Sequence, residues 1–108
     1  MPHIELPPLP GIVGLLAAHP DTAGPLNSLA EALLRGPSPL TPAQRETIAA
    51  SVSRANGCEF CAETHGAVAR ELGGADTDLE PLLAIAEKVR VDGRSVTPED
   101  VAKAREAG

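Results

Sequence analysis

The sequence has almost no aromatic residues. Phe60 is its only phenylalanine, and tryptophan and tyrosine are absent from the 108 residues. Aliphatic side chains and alanine must therefore form the core, and alanine favours helix because it loses no side-chain entropy there. A chain of this length suffices for one domain with a modest core. We expect thin, closely packed helices that are completed by self-association into a homo-oligomer.

Lysine is scarce as well. Lys88 and Lys103 are the only two, the formal net charge is −6, and the seven arginines are scattered among acidic residues. No basic cluster is available to neutralise a run of phosphates. The composition therefore argues against nucleic acid and anionic membranes as partners.

Long apolar runs are missing too. The one candidate for a targeting segment, residues 11–18, has no basic leader and is too short to span a bilayer. We therefore expect an intracellular, cytoplasmic protein. In that setting, two close cysteines are more often catalytic or metal-binding than a structural disulfide.

The apolar pattern predicts helices throughout, because no stretch alternates with a period of two for long enough to form a sheet. The predicted fold is an all-α bundle of about five helices in residues 21–108. An N-terminal arm with one short helix, residues 1–20, precedes it. Asp21 is a candidate N-cap for the first helix of the bundle, and this start would place Pro25 in the first turn, where proline is tolerated.

Two central helices have the clearest boundaries. Thr41 is predicted as an N-cap, with Gln44 completing a capping box, and this helix should end at Asn56-Gly57. The next helix should begin at or beside Cys58 and end at Gly73-Gly74. The Asn56-Gly57 turn must reverse the chain if the two helices are to pack side by side.

Two further helices follow. Thr77 with Glu80, and Thr97 with Asp100, give the start signals. The first of these helices has an apolar face wider than one neighbour covers, formed by Leu79, Leu82, Leu83, Ile85, Ala86 and Val89. This face is a second reason to expect self-association.

The candidate reactive residues lie at the start of the second central helix. Cys58, Cys61 and His65 are three and four positions apart, so they share one helix face. Both thiols fall in the first turn, where unpaired amides and the helix dipole favour negative charge. We therefore predict lowered thiol pKa values, a reactive dithiol and a proton exchange between His65 and Cys61.

Other interpretations of these residues remain open. A Cys-x-x-Cys pair with a histidine can bind zinc, but a closed structural site needs a fourth ligand, for which His3, His19 and Glu46 are candidates. Two cysteines on an apolar face can also be inert core residues.

Two neighbouring residues are ambiguous from spacing alone. Glu46 lies away from the Ile48 and Val52 stripe of its helix, and the simplest interpretation is a solvated glutamate beside Arg45. Phe60 is either a core residue or a wall of an apolar substrate pocket.

Taken together, these residues resemble the carboxymuconolactone decarboxylase and alkylhydroperoxidase D superfamily. Its pattern is a glutamate, eleven residues, Cys-x-x-Cys, three residues and a histidine, which here falls on Glu46, Cys58, Cys61 and His65. The segments PPLPG and LNSLAEALLRGPSPLT resemble the peroxidase-related subgroup. Unlike the best-studied members, which have a histidine just before the second cysteine, this chain has Phe60 there.

The resemblance implies an all-α thiol peroxidase. Cys61 would be the peroxidatic thiol and Cys58 the resolving one, with Glu46 and His65 as a proton relay. A hydroperoxide would be the substrate and a thioredoxin-like or lipoyl dithiol the reductant, without metal or cofactor. A disulfide reductase and a zinc-binding interaction module are the alternatives; lactone decarboxylation has no need of a cysteine pair.

Overall fold

The computed structural model describes residues 3–74 and 78–108, and these residues form helices joined by short connections. The helices are α1 (Ile12–Ala18), α2 (Pro20–Arg35), α3 (Pro42–Ala55), α4 (Glu59–Glu71), α5 (Glu80–Asp92) and α6 (Pro98–Glu106). A single 3₁₀ turn, Gly93–Ser95, separates α5 from α6. No strand occurs in these ranges, so the all-α prediction is confirmed.

The chain divides into two compact units, Met1–Pro39 and Leu40–Gly108. The first unit contains α1 and α2, which contact each other. The second contains α3 to α6, and its main helix pair is α3 with α4. The predicted organisation, an arm of residues 1–20 and a domain of residues 21–108, stays a prediction. No helix in the part of the chain that the structure describes is long and apolar enough to cross a membrane.

The start of α2 differs from the sequence prediction. The helix begins at Pro20, which takes the first helical position that its fixed φ suits, and His19 is the N-cap. Asp21 therefore lies inside the first turn and is not the cap. Pro25 consequently falls within the helix and not in its first turn, so its position was predicted wrongly. Proline has no N–H to donate, which leaves one carbonyl of the preceding turn without its helical partner.

The start of α3 follows the prediction. Thr41 is the N-cap, its Oγ1 accepts from the N–H of Gln44 at 3.2 Å, and the Gln44 side chain accepts from the Thr41 N–H at 2.8 Å. Thr97 and Asp100 form a second capping box at α6. The box predicted at Thr77 lies outside the described residues, and α5 begins at Glu80 with Leu79 as the N-cap.

Alanine forms most of the described core. The buried apolar side chains are four alanines on α3 and α4 and one leucine before α5, namely Ala43, Ala50, Ala62, Ala69 and Leu79. Small side chains let two helix axes approach closely, so α3 and α4 pack together without large side chains between them. This arrangement brings the backbone of α3 close to the helix that contains the cysteine pair.

Candidate functional site

The turn between α3 and α4 places Cys58 with little freedom. Gly57 has φ +76°, which only glycine adopts without strain, and its N–H donates to the Arg54 carbonyl. The N–H of Cys58 donates to the Ser53 carbonyl at 2.9 Å. These two bonds form a Schellman motif, the common end of a helix at glycine.

Cys58 also begins the next helix. It is the N-cap of α4, and its Sγ accepts from the backbone N–H of Cys61 at 3.4 Å. One residue thus closes α3 and opens α4. Cys58 is therefore bonded to the backbone of α3 through its N–H and to the backbone of α4 through its sulfur, and its position agrees with the predicted helix boundaries.

Glu46 lies on the face of α3 that packs against α4. It occupies the same stripe as Ala43 and Ala50, and it is only 2% exposed. The solvated position that spacing alone favoured is therefore wrong, whereas a buried Glu46 fits the family resemblance. The signal that could have revealed it is the small-residue stripe. Ile48 and Val52, which mark the predicted apolar face, are only partly buried.

His65 meets Glu46 across the two helices. Its Nδ1 lies 2.6 Å from Oε2 of Glu46, and the two residues are 19 positions apart in sequence. The His65 side chain is 29% exposed and that of Glu46 is 3% exposed. With a carboxylate acceptor at Nδ1, that nitrogen carries the proton, and in the neutral ring Nε2 is the basic atom.

The two cysteines are both thiols and both partly buried. The hydrogen bond with the Cys58 side chain, burial and the charge of Cys58 together raise the pKa of Cys61 above its ordinary value. The predicted lowering of the Cys61 pKa is therefore wrong. The backbone amide of Cys61 favours a negative charge there, but the side-chain hydrogen bond with Cys58 and burial outweigh it.

The other site predictions have mixed outcomes. Phe60, between the cysteines, is partly buried, and its interpretation as a pocket wall stays a prediction. Glu63 is exposed, as expected of a solvated residue. Among the residues described, no group of three or more histidine, cysteine or acidic side chains is placed to hold a metal ion.

One contact was missed by the sequence analysis. Arg90 on α5 donates through Nη1 to the Asn56 side chain at 3.4 Å, and through Nε to Glu87 at 2.8 Å. Asn56 is the C-cap of α3. The contact thus joins α5 to the turn that precedes Cys58. No spacing signal reveals it, because 34 residues separate the two partners.

These features define an all-helical dithiol protein, with a Cys-x-x-Cys pair at a helix start and a carboxylate–histidine pair on the adjacent helices. The family model described as "Carboxymuconolactone decarboxylase family" matches residues 20–92. The chain belongs to this family, which includes alkylhydroperoxidase D-like members. No curated protein and no solved structure matches the chain significantly.

Proposed function

We propose that this protein is a thiol-dependent peroxidase that reduces hydroperoxides through Cys61 and Cys58. The observation that carries the proposal is the 2.6 Å hydrogen bond between Glu46 and His65, with His65 one helical turn beyond Cys61 on α4. A buried carboxylate beside a histidine stabilises the positive charge that the histidine acquires when it gains a proton during a reaction. The family resemblance assigns the same four residues to one site.

The first step is ionisation of Cys61. His65 Nε2 accepts the thiol proton, and Glu46 stabilises the resulting imidazolium through Nδ1–H. A base is needed because the pKa of Cys61 is raised by the neighbouring Cys58 thiol and by burial. Glu46 therefore serves as a positioning and charge-stabilising residue, and Cys61 as the nucleophile.

The thiolate of Cys61 then attacks the outer oxygen of the hydroperoxide. The O–O bond breaks, the alcohol leaves after taking up a proton, and Cys61 becomes a sulfenic acid. The sulfur of Cys58 attacks that of Cys61, water leaves, and a disulfide forms within one chain. An external dithiol, thioredoxin-like or lipoyl-bearing, reduces it, and no metal, haem or flavin takes part in this cycle.

Thiol counting tests the proposal. The reduced protein has two titratable thiols per chain, and one equivalent of cumene hydroperoxide should remove both within one turnover. Mass spectrometry should show the loss of two hydrogens in a single peptide. Full retention of both thiols would contradict peroxidase activity.

A disulfide reductase that never meets peroxide is the second candidate. The observation that favours it is the hydrogen bond from the Cys61 amide to Cys58 Sγ, because a sulfur held at a helix start is suited to thiol–disulfide exchange. Rapid reduction of a model disulfide, with no consumption of hydroperoxide, would select it. Stoichiometric zinc in the purified, reduced protein would instead support the metal-binding alternative.

A further inference from the structure

The two sulfurs of the pair differ in what surrounds them. Cys58 Sγ accepts a backbone N–H, that of Cys61, at 3.4 Å. The Cys58 backbone is itself fixed, because its N–H donates to the Ser53 carbonyl at 2.9 Å. The amide dipole therefore points at the Cys58 sulfur in the folded protein before any reaction occurs.

This amide favours a negative charge on Cys58. A hydrogen bond to a charged acceptor is worth more than one to a neutral acceptor, so ionisation of Cys58 strengthens it. A charge on Cys58 opposes ionisation of its neighbour, and the Cys58 thiol and burial accordingly raise the pKa of Cys61. The hydrogen bond therefore stabilises a negative charge on Cys58 Sγ whenever one forms there.

We propose that the external reductant attacks the sulfur of Cys61 and that Cys58 is the leaving thiolate when the Cys58–Cys61 disulfide is reduced. The proposal rests on the dithiol chemistry proposed above and assigns the sulfur at which the reductant binds. Thiol–disulfide exchange is faster when the departing sulfur is the better stabilised thiolate. The amide of Cys61 donates to Cys58 Sγ, whereas at Cys61 itself the side-chain hydrogen bond with Cys58 and burial outweigh what that amide contributes.

A reductant thiolate forms a bond to Cys61 Sγ, the Cys58–Cys61 bond breaks, and its electron pair departs on Cys58. The second thiol of the reductant loses its proton and attacks the reductant's own sulfur in the mixed disulfide. Cys61 then leaves as a thiolate and takes a proton from the His65 imidazolium or from water, and the reductant is left as a disulfide.

The site of attack can be read directly in the unsubstituted chain. The protein is oxidised with diamide, which needs no peroxidase activity, and is then treated briefly with glutathione. Acid and N-ethylmaleimide stop the reaction. The tryptic peptide of residues 55–70 contains both cysteines, so fragmentation locates each label.

Glutathione on Cys61 with maleimide on Cys58 should exceed the opposite pattern by about tenfold, the ratio expected from a hydrogen bond to a charged group. The same experiment in concentrated urea is the matched control, and there the ratio should fall towards one because the helix start is lost. An excess of glutathione on Cys58, an even division in the folded protein, an unchanged ratio in urea or failure to obtain any adduct on Cys61 would overturn the proposal. Because diamide forms the disulfide, a protein that does not consume peroxide can still give the expected pattern, so the two proposals fail separately.

Discussion

Glu46 and His65, on different helices, are joined by a 2.6 Å contact between Oε2 and Nδ1. Glu46 is 2% exposed. A carboxylate buried to this extent is seldom found without a partner of this kind. The Nδ1 side of the His65 ring is therefore held by a residue of the opposite helix.

Loss of the Glu46 charge should slow thiol chemistry. Glu46→Gln keeps the shape of the side chain but cannot stabilise a protonated His65, so alkylation of Cys61 by iodoacetamide near neutral pH should slow on the order of a hundredfold. The effect should shrink well above the pKa of Cys61, where no base is needed. Labelling is followed by peptide mass spectrometry.

Glu63→Gln is the matched control for this variant. Glu63 lies on the same helix as His65 but is exposed. It should leave the rate unchanged. Equal, negligible effects of both substitutions would show that the Glu46–His65 bond is structural only.

The two cysteines should behave differently when replaced. Cys61→Ser should abolish peroxide consumption, whereas Cys58→Ser should still permit one round and leave a sulfenic acid at Cys61 that dimedone traps. Both serine variants keep a side chain that can cap or face the helix start. A trapped sulfenic acid at Cys58 in Cys61→Ser, with none at Cys61, would reverse the proposed assignment of the two thiols.

The turn before Cys58 should be sensitive to a Cβ atom. Gly57 has φ +76°, and Gly57→Ala should lower the free energy of unfolding by roughly 1–2 kcal/mol because alanine is strained there. Gly66 lies inside α4 and has only ordinary contact distance to Arg70, so Gly66→Ala should raise stability by about 0.5–1 kcal/mol. Urea unfolding followed by circular dichroism measures both. Equal effects of the two substitutions would contradict the turn geometry.

The link between α5 and α6 should respond to acid. Hydrogen bonds from Lys88 and from the Thr97 backbone lower the pKa of Asp100 to about 2. A lowered pKa means that the carboxylate stabilises the fold above its unfolded pKa of about 3.9, and that this stabilisation is lost as the pH falls towards 2.

Asp100→Asn should therefore flatten the fall in unfolding free energy between about pH 4 and pH 2. Urea titrations at several pH values measure this slope. Glu99→Asn is the control, because Glu99 is an exposed neighbour on the same helix. An unchanged slope in Asp100→Asn would show that the ion pair with Lys88 does not persist in solution.

We still expect self-association, because apolar side chains of α5 are exposed. Val89 is 59% exposed and Val91 is 70% exposed at the end of α5, and α5 has no buried residue. Covering apolar surface contributes about 25 cal/mol per Å². Sedimentation velocity at micromolar concentration should show an oligomer, and a monomer would refute the prediction.

Local chemistry in the sequence was sufficient for several features. The capping residues Thr41 and Thr97 and the stop at Gly57 act through atoms within a few positions, so the bounds of α3, α4 and α6 could be predicted closely. The helix start that failed, at Asp21, lies beside Pro20, and a proline serves equally well just after one helix and at the first position of the next. In such a case, local signals support two boundaries.

In the candidate site, too, some features follow from the local sequence and others only from the tertiary structure. The sequence determined that Cys58, Cys61 and His65 share a helix face, because helix periodicity is a local property. Only the packing of α3 on α4 decided that Glu46 is buried against His65, because Ala43 and Ala50 allow the two helices to approach closely. The spacing of residues within α3 does not reveal which helix packs against it. The raised pKa of Cys61 likewise depends on the orientation of the Cys58 side chain and on burial, which arise only when the helices have assembled.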